Sequence, residues 1–258
     1  AAANATEIIA HRGASFAAPE NTLASVELAW KYDSDAVEID VHLSKDHEIV
    51  VIHDPTLERT AGLTGAVAEM TWDELKKVDV GAWKGAQWAG QMIPNLAQVI
   101  DTLPRGKRLF IEIKCGPEII PHLKKLLLKK KIMSHQAVII SFDGETLFAA
   151  KSQLPEFPMY HLRIAQFNQI DNQWLPTVNK VAMAKHMGFE GINFGYNGPV
   201  KSQSFIEMAH QLRQESKSMN LKLYSWTIND EHVAKTLIAI GVDGITTDHP
   251  EKVKSLLP

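Results

Sequence analysis

VEIDVHLSKDHEIVVIHD, residues 37–54, holds two carboxylates, Glu38 and Asp40, inside an apolar run. A second apolar run follows and ends on His53 and Asp54. An apolar strand carries charge only where something compensates it. The turn SKDHE is too short for a parallel crossover, so 37–44 and 48–53 are expected to form an antiparallel hairpin. Glu38 and Asp40 alternate with Val37, Ile39 and Val41, which puts both acids on one side of the strand. With the turn centred near Lys45–Asp46, Glu38 faces His53 across the pair and Asp40 lies one diagonal step away. The hairpin then carries His53 back to the end of the strand that bears the acids.

Outward from the hairpin, β-rich apolar runs alternate with helical patterns. The runs are 7–11, 36–40, 108–114, 137–142, 159–164, 191–194, 221–228 and 244–248. Candidate helices lie at 21–32, 95–103, 117–130, 144–154, 176–188, 201–219, 230–241 and 250–257, several with apolar residues three and four apart. Nearly continuous apolar runs are the signature of parallel strands buried on both faces. Eight strand–helix units in 258 residues are the arithmetic of an α/β (β/α)8 TIM barrel, read as one catalytic domain over 1–258. From Asp40 to Arg108 the chain is longer than a loop and a helix require. The excess, 43–91, is read as a small insertion subdomain after the second barrel strand, with a short helix at TWDELKKV begun by a Thr71–Glu74 capping box. Excursions of this kind sit at the C-terminal face of a barrel, where active sites are built.

Composition narrows the function. A chain 45% hydrophobic and 22% charged is an ordinary globular protein. Its formal net charge of −3 gives no general attraction to nucleic acid or anionic lipid. No apolar run approaches the ~18 residues of a membrane span, so no stable membrane insertion is expected. One cysteine, Cys115, rules out an internal disulfide and leaves the compartment open between cytoplasm and export. The opening AAANATE, without Met or signal peptide, is compatible with a processed exported protein. No feature sets the oligomeric state.

The strand ends carry the chemistry. The first ends AHRG, with His11 and Arg12; the second holds Glu38 and Asp40. The third ends IEIK, with Glu112 and Lys114 two apart and on one face; the seventh offers Trp226 and the eighth ends in Asp248. Three converging carboxylates repel one another severely unless a cation joins them. Ligation by oxygen alone suits Mg²⁺ or Ca²⁺ rather than zinc. Arg12 and Lys114 are then anion ligands, the arginine as a fork and the lysine as a point charge. His11 and His53 are candidates for general acid and base. Metal, cationic clamp and two imidazoles together describe a phosphoryl-transfer site.

These residues bring a resemblance into view. HRG at 11–13, PENT at 19–22, Glu38-x-Asp40, His53–Asp54, Glu112-x-Lys114, WTIN at 226–229 and TDHP at 247–250 resemble, in order and over nearly the whole chain, the glycerophosphodiester phosphodiesterases. The resemblance implies His11 and His53 as the catalytic pair and Glu38, Asp40 and Glu112 as ligands of one divalent cation. It implies phosphate contacts for Arg12 and Lys114, and a small subdomain after the second strand. The implied reaction releases glycerol 3-phosphate and an alcohol from a small phosphodiester. The substrate's own 2-hydroxyl attacks phosphorus, and water then opens the cyclic phosphate. An alternative on the same barrel is a lysophospholipase D-like or sphingolipid phosphodiesterase, which an apolar groove beside the site would favour. An inactive anion-binding barrel is the alternative of another class.

Other residues are read more plainly. Asn21 or Thr22 is an N-cap for the first helix, and Glu20 orients Arg12. Asp248 reads as the cap of the last helix, with Pro250 in its first turn. Trp226 is barrel packing or a platform for glycerol carbons. Trp83 and Trp88 are read as the small core of the excursion. Cys115 is buried packing, and the remaining histidines, His42 among them, receive no role.

Overall fold

The computed structural model describes residues 5–258. Its elements run β1 (Glu7–His11), α1 (Leu23–Lys31), β2 (Ala36–Leu43), β3 (Ile49–Val51), α2 (Glu58–Ala61), α3 (Trp72–Leu75) and α4 (Leu96–Asp101). They continue with β4 (Arg108–Ile113), α5 (Ile120–Lys129), β5 (Ala137–Ser141), α6 (Gly144–Gln153), β6 (Met159–Asn168), β7 (Gln173–Trp174) and α7 (Val178–His186). The last are β8 (Gly191–Asn197), α8 (Gln203–Ser218), β9 (Lys222–Ser225), α9 (Glu231–Ile240), β10 (Gly244–Thr247) and α10 (Pro250–Lys254). Eight strands pair in parallel in the order β1-β2-β4-β5-β6-β8-β9-β10, and β10 returns to β1 to close the barrel. β3 lies antiparallel on β2, and β7 lies antiparallel on β6.

Alternation along each strand sorts the apolar residues into two layers. One set, including Ile8, Val37, Ile39 and Ile111, faces the helices and packs on residues such as Leu123, Phe205 and Leu237. The other fills the barrel: Ile9, Ala36, Phe110, Val138, Ile140, Tyr160, Leu162 and Tyr224. Helix α8 shows why these segments coil as they do. Phe205, Met208, Ala209, Leu212 and Ser216 form one buried stripe, and the Ser202 side chain accepts from the Phe205 amide at the N-cap. At the N-terminal end of the barrel Arg108 donates to both Glu7 oxygens and to the Tyr224 hydroxyl, and Tyr224 stacks on Tyr160 at 4.8 Å. The ring pair fits because its neighbours are glycines: a Cβ at Gly191 would lie 2.6 Å from Tyr160, and one at Gly244 would lie 2.2 Å from Tyr224.

The long connection after β2 packs around its own apolar cluster, Val50, Ile52, Leu57, Val67, Leu75, Val78, Val80 and Ile93. Trp83 and Trp88 are not that core. Trp83 is 46% exposed, and its indole N–H is satisfied by the Val80 carbonyl. Both tryptophans sit on tight turns flanking Gly85, outside the apolar cluster. The run 221–228 stops being a strand at Ser225, yet Trp226 and Ile228 still donate to Phe194 and Thr246 on the two neighbouring strands. β6 outruns its expected end by four residues and forms a small hairpin with β7, which apolar periodicity did not reveal. No helix among the described residues is long and apolar enough to cross a membrane.

Phe110 is fully buried at the centre of the barrel, touching Tyr160 and Tyr224 edge-on or tilted. Phe110→Ala is expected to destabilise the fold by about 3–5 kcal/mol, through lost burial plus the cavity left behind. Urea unfolding checks this, and a loss below about 1 kcal/mol would mean that the interior is not close-packed.

Candidate active site

The parallel register assembles the acids. His11 pairs with Glu38 across β1 and β2, and Asp40 pairs with Glu112 across β2 and β4. All four side chains point inward near the C-terminal mouth. One carboxylate oxygen from each of Glu38, Asp40 and Glu112 lies within 4.8 Å of the others, and all three residues are buried. Burial, then Asp40 and Glu112, pushes the Glu38 carboxyl well above the usual carboxylate range. Burial, then Asp40, lifts Glu112 to about 8, against the pull of Lys114. Asp40 goes the other way: burial raises it, but Arg12, His53 and the Asn21 amide outweigh burial and hold it low. Glu38 Oε1 and Asp40 Oδ1 have no hydrogen-bond partner among the described residues. Three buried carboxylates from two neighbouring strands, two of their oxygens unsatisfied, fit a hard divalent cation.

Cationic groups stand beside the acids. Arg12 has φ of 56°, a left-handed conformation that costs a non-glycine residue free energy. The turn aims the Arg12 amide at Glu38 Oε2, 2.9 Å away, and brings Nε to 3.3 Å from Asp40 Oδ2. Glu20 accepts from Arg12 Nη1 at 3.0 Å, the orienting contact expected of it. Lys114 Nζ bonds Glu112 Oε1 at 3.1 Å. Arg12, Lys114, His11, His53 and Trp226 line one cleft together with Glu38 and Glu112. Every candidate named from the sequence therefore meets at this mouth.

Each imidazole is held through Nδ1 by its own carboxylate. His11 Nδ1 lies 2.7 Å from Asp248 Oδ1, and Asp248 is fixed in turn by Ser15 and Asn229. Asp248 is therefore not the cap of α10: the N-cap residue is His249, and no side chain caps that helix. Its carboxyl is held low, because the hydrogen bond and charge of His11 overcome the cost of burial. His53 Nδ1 lies 2.7 Å from Asp54 Oδ1. A carboxylate acceptor keeps the proton on Nδ1 and leaves Nε2 for chemistry. Burial lowers the His53 pKa, with Asp40 and Asp54 opposing.

The hairpin register differs from the expected one by a single residue. Val41 pairs with Val51, and Ile52 donates to the Asp40 carbonyl, so Asp40 rather than Glu38 lies nearest the returning chain. Had the ladder continued, this slip would have turned His53 away from the acids. Instead the ladder ends at Val51, the chain bends at His53, and His42 Nε2 lies 2.9 Å from the His53 carbonyl. His42, given no role from the sequence, thus pins the bend that returns the His53 ring to the cleft.

Three further contacts escaped sequence reasoning. Arg59, on α2, donates to both oxygens of Asp54 and both of Glu20, joining the partner of His53 to the partner of Arg12. Asn21 donates to Asp40 Oδ2 at 2.9 Å, while Thr22 is the actual N-cap of α1. Trp226 donates its indole N–H to the Asn193 carbonyl and meets Phe142 edge-on at 5.3 Å. The one available signal was the short spacing from Asp54 to Arg59, which a single helical turn converts into contact. Cys115 behaves as expected: burial pushes its thiol up to about 11, so it is no nucleophile.

A closed (β/α)8 barrel with acids, an arginine, a lysine and two carboxylate-held imidazoles at its mouth falls in the class of phosphoric diester hydrolases, as comparison with known proteins shows. Residues 11–252 match the model of the glycerophosphoryl diester phosphodiesterase family, and the chain belongs to that family. A glycerophosphodiester phosphodiesterase of Caldanaerobacter subterraneus subsp. tengcongensis is 33% identical over 98% of both chains. A phosphodiesterase of Oleispira antarctica, solved with the product sn-glycerol-3-phosphate, is 30% identical with a TM-score of 0.83, covering 98% of this chain and 96% of that one. A lysophospholipase D of Rattus norvegicus is 25% identical, covering 96% of this chain and 85% of that one.

The raised carboxyls give a test that needs no substrate. A group whose folded pKa lies above its unfolded value stabilises below the unfolded pKa, and that contribution is lost as pH rises through the folded pKa. For Glu112 the loss runs from the ordinary carboxylate range up to about 8. In chelator, Glu112→Gln should therefore gain in melting temperature relative to wild type between about pH 5 and pH 8. Saturating Mg²⁺ or Ca²⁺ should raise the wild-type melting temperature more at pH 8 than at pH 5. A difference between the two proteins that ignores pH would contradict the assignment.

Proposed function

We propose that this chain is a metal-dependent glycerophosphodiester phosphodiesterase that releases glycerol 3-phosphate and an alcohol by histidine acid–base catalysis. The observation that carries the reading is the pair of imidazoles, each fixed through Nδ1 by a carboxylate, beside a buried trio of acids. Glu38, Asp40 and Glu112 would hold one divalent cation, Mg²⁺ or Ca²⁺, which when bound supplies Lewis-acid stabilisation of charge on phosphate and glycerol oxygens. Arg12 and Lys114 take the non-bridging phosphate oxygens, Arg12 in the orientation set by Glu20. One of His11 and His53 accepts the proton of the substrate's 2-hydroxyl as that oxygen attacks phosphorus. The bond from phosphorus to the alcohol oxygen breaks, and the other histidine protonates that oxygen. The roles then reverse, and water opens the cyclic phosphate to glycerol 3-phosphate. Residues 43–91 act as a subdomain inserted into a single catalytic domain spanning 1–258. Its part in the site is to supply His53 and Asp54.

A second reading, turnover of lysophospholipids, would need the acyl arm rather than the leaving alcohol to lie in the apolar groove that adjoins the cleft at Trp226. The rat relative's name points to that reading.

The direct test is turnover of glycerophosphocholine with and without Mg²⁺ or Ca²⁺. Exhaustive EDTA treatment should abolish activity, and the cation should restore it. His11→Ala and His53→Ala should each lose ~10²–10⁴-fold in kcat with circular dichroism unchanged. Wild-type kcat in either variant would make that histidine structural.

Arg12→Lys keeps the charge but loses the fork. Its inhibition by glycerol 3-phosphate should weaken by about 10-fold or more, the worth of one charge-assisted hydrogen bond. Unchanged product inhibition would remove Arg12 from the phosphate site.

A further inference from the structure

The cleft at the acids is small, but it does not end at Trp226. A groove of about 620 Å³ begins on the far side of that indole and runs between the ends of β6, β8 and β9. It continues the cleft one pleat outward on the same inward faces. On β6 the lining passes from Leu162 in the cleft to Ile164 in the groove; on β8 it passes from Asn193 to Gly195. Residues two apart on a strand share a face, so one continuous wall serves both spaces.

Trp226 is seated as a fixed divider. A Cβ on Gly195 would lie 2.7 Å from the indole, so only glycine lets the ring pack there. The indole N–H is spent on the Asn193 carbonyl and the ring edge meets Phe142. The remaining groove wall is mostly apolar, with Ile164, Tyr196, Val200, Ile228 and Val233. It is completed by Asn197, Thr227, Asn229 and Asp230. Most of its polar side chains are already engaged, Asn229 with Asp248 and Thr247. The Tyr196 hydroxyl bonds Ser225 at 2.7 Å, and Asp230 caps α9 while pairing with Lys201 at 2.7 Å. The groove thus offers surface to carbon and little to hydroxyl groups.

We propose that this groove receives the leaving alcohol, and that the enzyme prefers phosphodiesters whose alcohol has an apolar body of several carbons over those of small polyols. The inference rests on the glycerophosphodiester reading above. In phosphoryl transfer the attacking and leaving oxygens lie roughly in line through phosphorus. The acids stand on β2 and β4, the second and third strands around the barrel, and the groove lies on the fifth to seventh, across the mouth. With the glycerol hydroxyls turned to the acids, the alcohol oxygen points across the mouth toward Trp226. The acyl arm of a lysophospholipid branches from the glycerol side and starts from the opposite wall.

The experiment compares kcat/KM for glycerophosphohexanol, glycerophosphoglycerol and a monoacyl glycerophosphocholine in wild type, Ile164→Asn and Val200→Arg. Ile164 is 37% exposed, so its replacement leaves the core intact even if the arginine variant fails to fold. Wild type should favour the hexyl ester over the glycerol ester by about 10-fold or more, the scale of apolar-pocket discrimination. Ile164→Asn should cut that preference several-fold through KM, with glycerol 3-phosphate inhibition unchanged. No preference in wild type, or an equal loss on both diesters, overturns the proposal. Loss confined to the monoacyl substrate also overturns it, because the groove would then hold the acyl arm. If neither diester is turned over, the underlying reading fails and the groove assignment goes with it.

Discussion

Three carboxylates whose oxygens lie within 4.8 Å set the terms for everything around them. At an effective dielectric near 20, two unit charges at that spacing repel by roughly 3 kcal/mol. Three such pairs would consume much of a domain's net stability. The protein meets this in several ways at once. Glu38 and Glu112 hold protons more readily than ordinary carboxyls, Arg12 and Lys114 lend positive charge, and Asn21 donates to Asp40. Even so, two buried oxygens stay unpartnered, which a fold optimised only for stability would not keep. The strain at Arg12 belongs to the same set, since its left-handed backbone is what turns an amide onto Glu38.

The far end of the barrel supplies the stability that the mouth spends. There Glu7, Arg108, Tyr160 and Tyr224 form a plug in which every charge is paired, packed against Phe110. Arg108 is bound bidentately to Glu7, and the hydroxyl of Tyr224 bridges them. The contrast between a satisfied bottom and an unsatisfied top is the usual division of labour in such barrels. It explains why glycine stands at 191 and 244, where it makes room for the tyrosine rings, and at 195, where it makes room for an indole at the mouth.

Much of this was legible in the sequence. All eight barrel strands begin within a residue of their expected starts, because parallel strands buried on both faces announce themselves as apolar runs. Glu38-x-Asp40 and Glu112-x-Lys114 were legible for the complementary reason: charge in such a run has few explanations. What failed to show was anything set by three-dimensional closure. Asp248 reads locally as a helix cap, and only the pairing of β10 with β1 brings it to His11. The hairpin register slipped by one because a turn's centre is poorly fixed by composition, and the bend that rescues His53 depends on a cross-strand contact from His42. Arg59 hinted at Asp54 through their short spacing, but its other partner, Glu20, lies before the detour and meets it only in the closed barrel.

That arginine explains how a detour so far along the chain can belong to the site. From Asp40 the contacts run to Arg12, Glu20, Arg59 and Asp54, alternating in charge, and end on the His53 ring held by Asp54. Opposite charges along such a chain hold each other in place, so Arg12 and His53 are oriented by one network rather than by two separate scaffolds. β1 and its following loop supply one half, and the hairpin with α2 supplies the other. Arg59 itself is partly exposed, so its ion pairs contribute modestly to stability. Their consequence is geometric: the guanidinium fixes Asp54, Asp54 fixes Nδ1 of His53, and the ring is left with Nε2 free. The excursion after β2 thereby forms one wall of the barrel mouth, tied to the Arg12 side by a single residue on one helical turn.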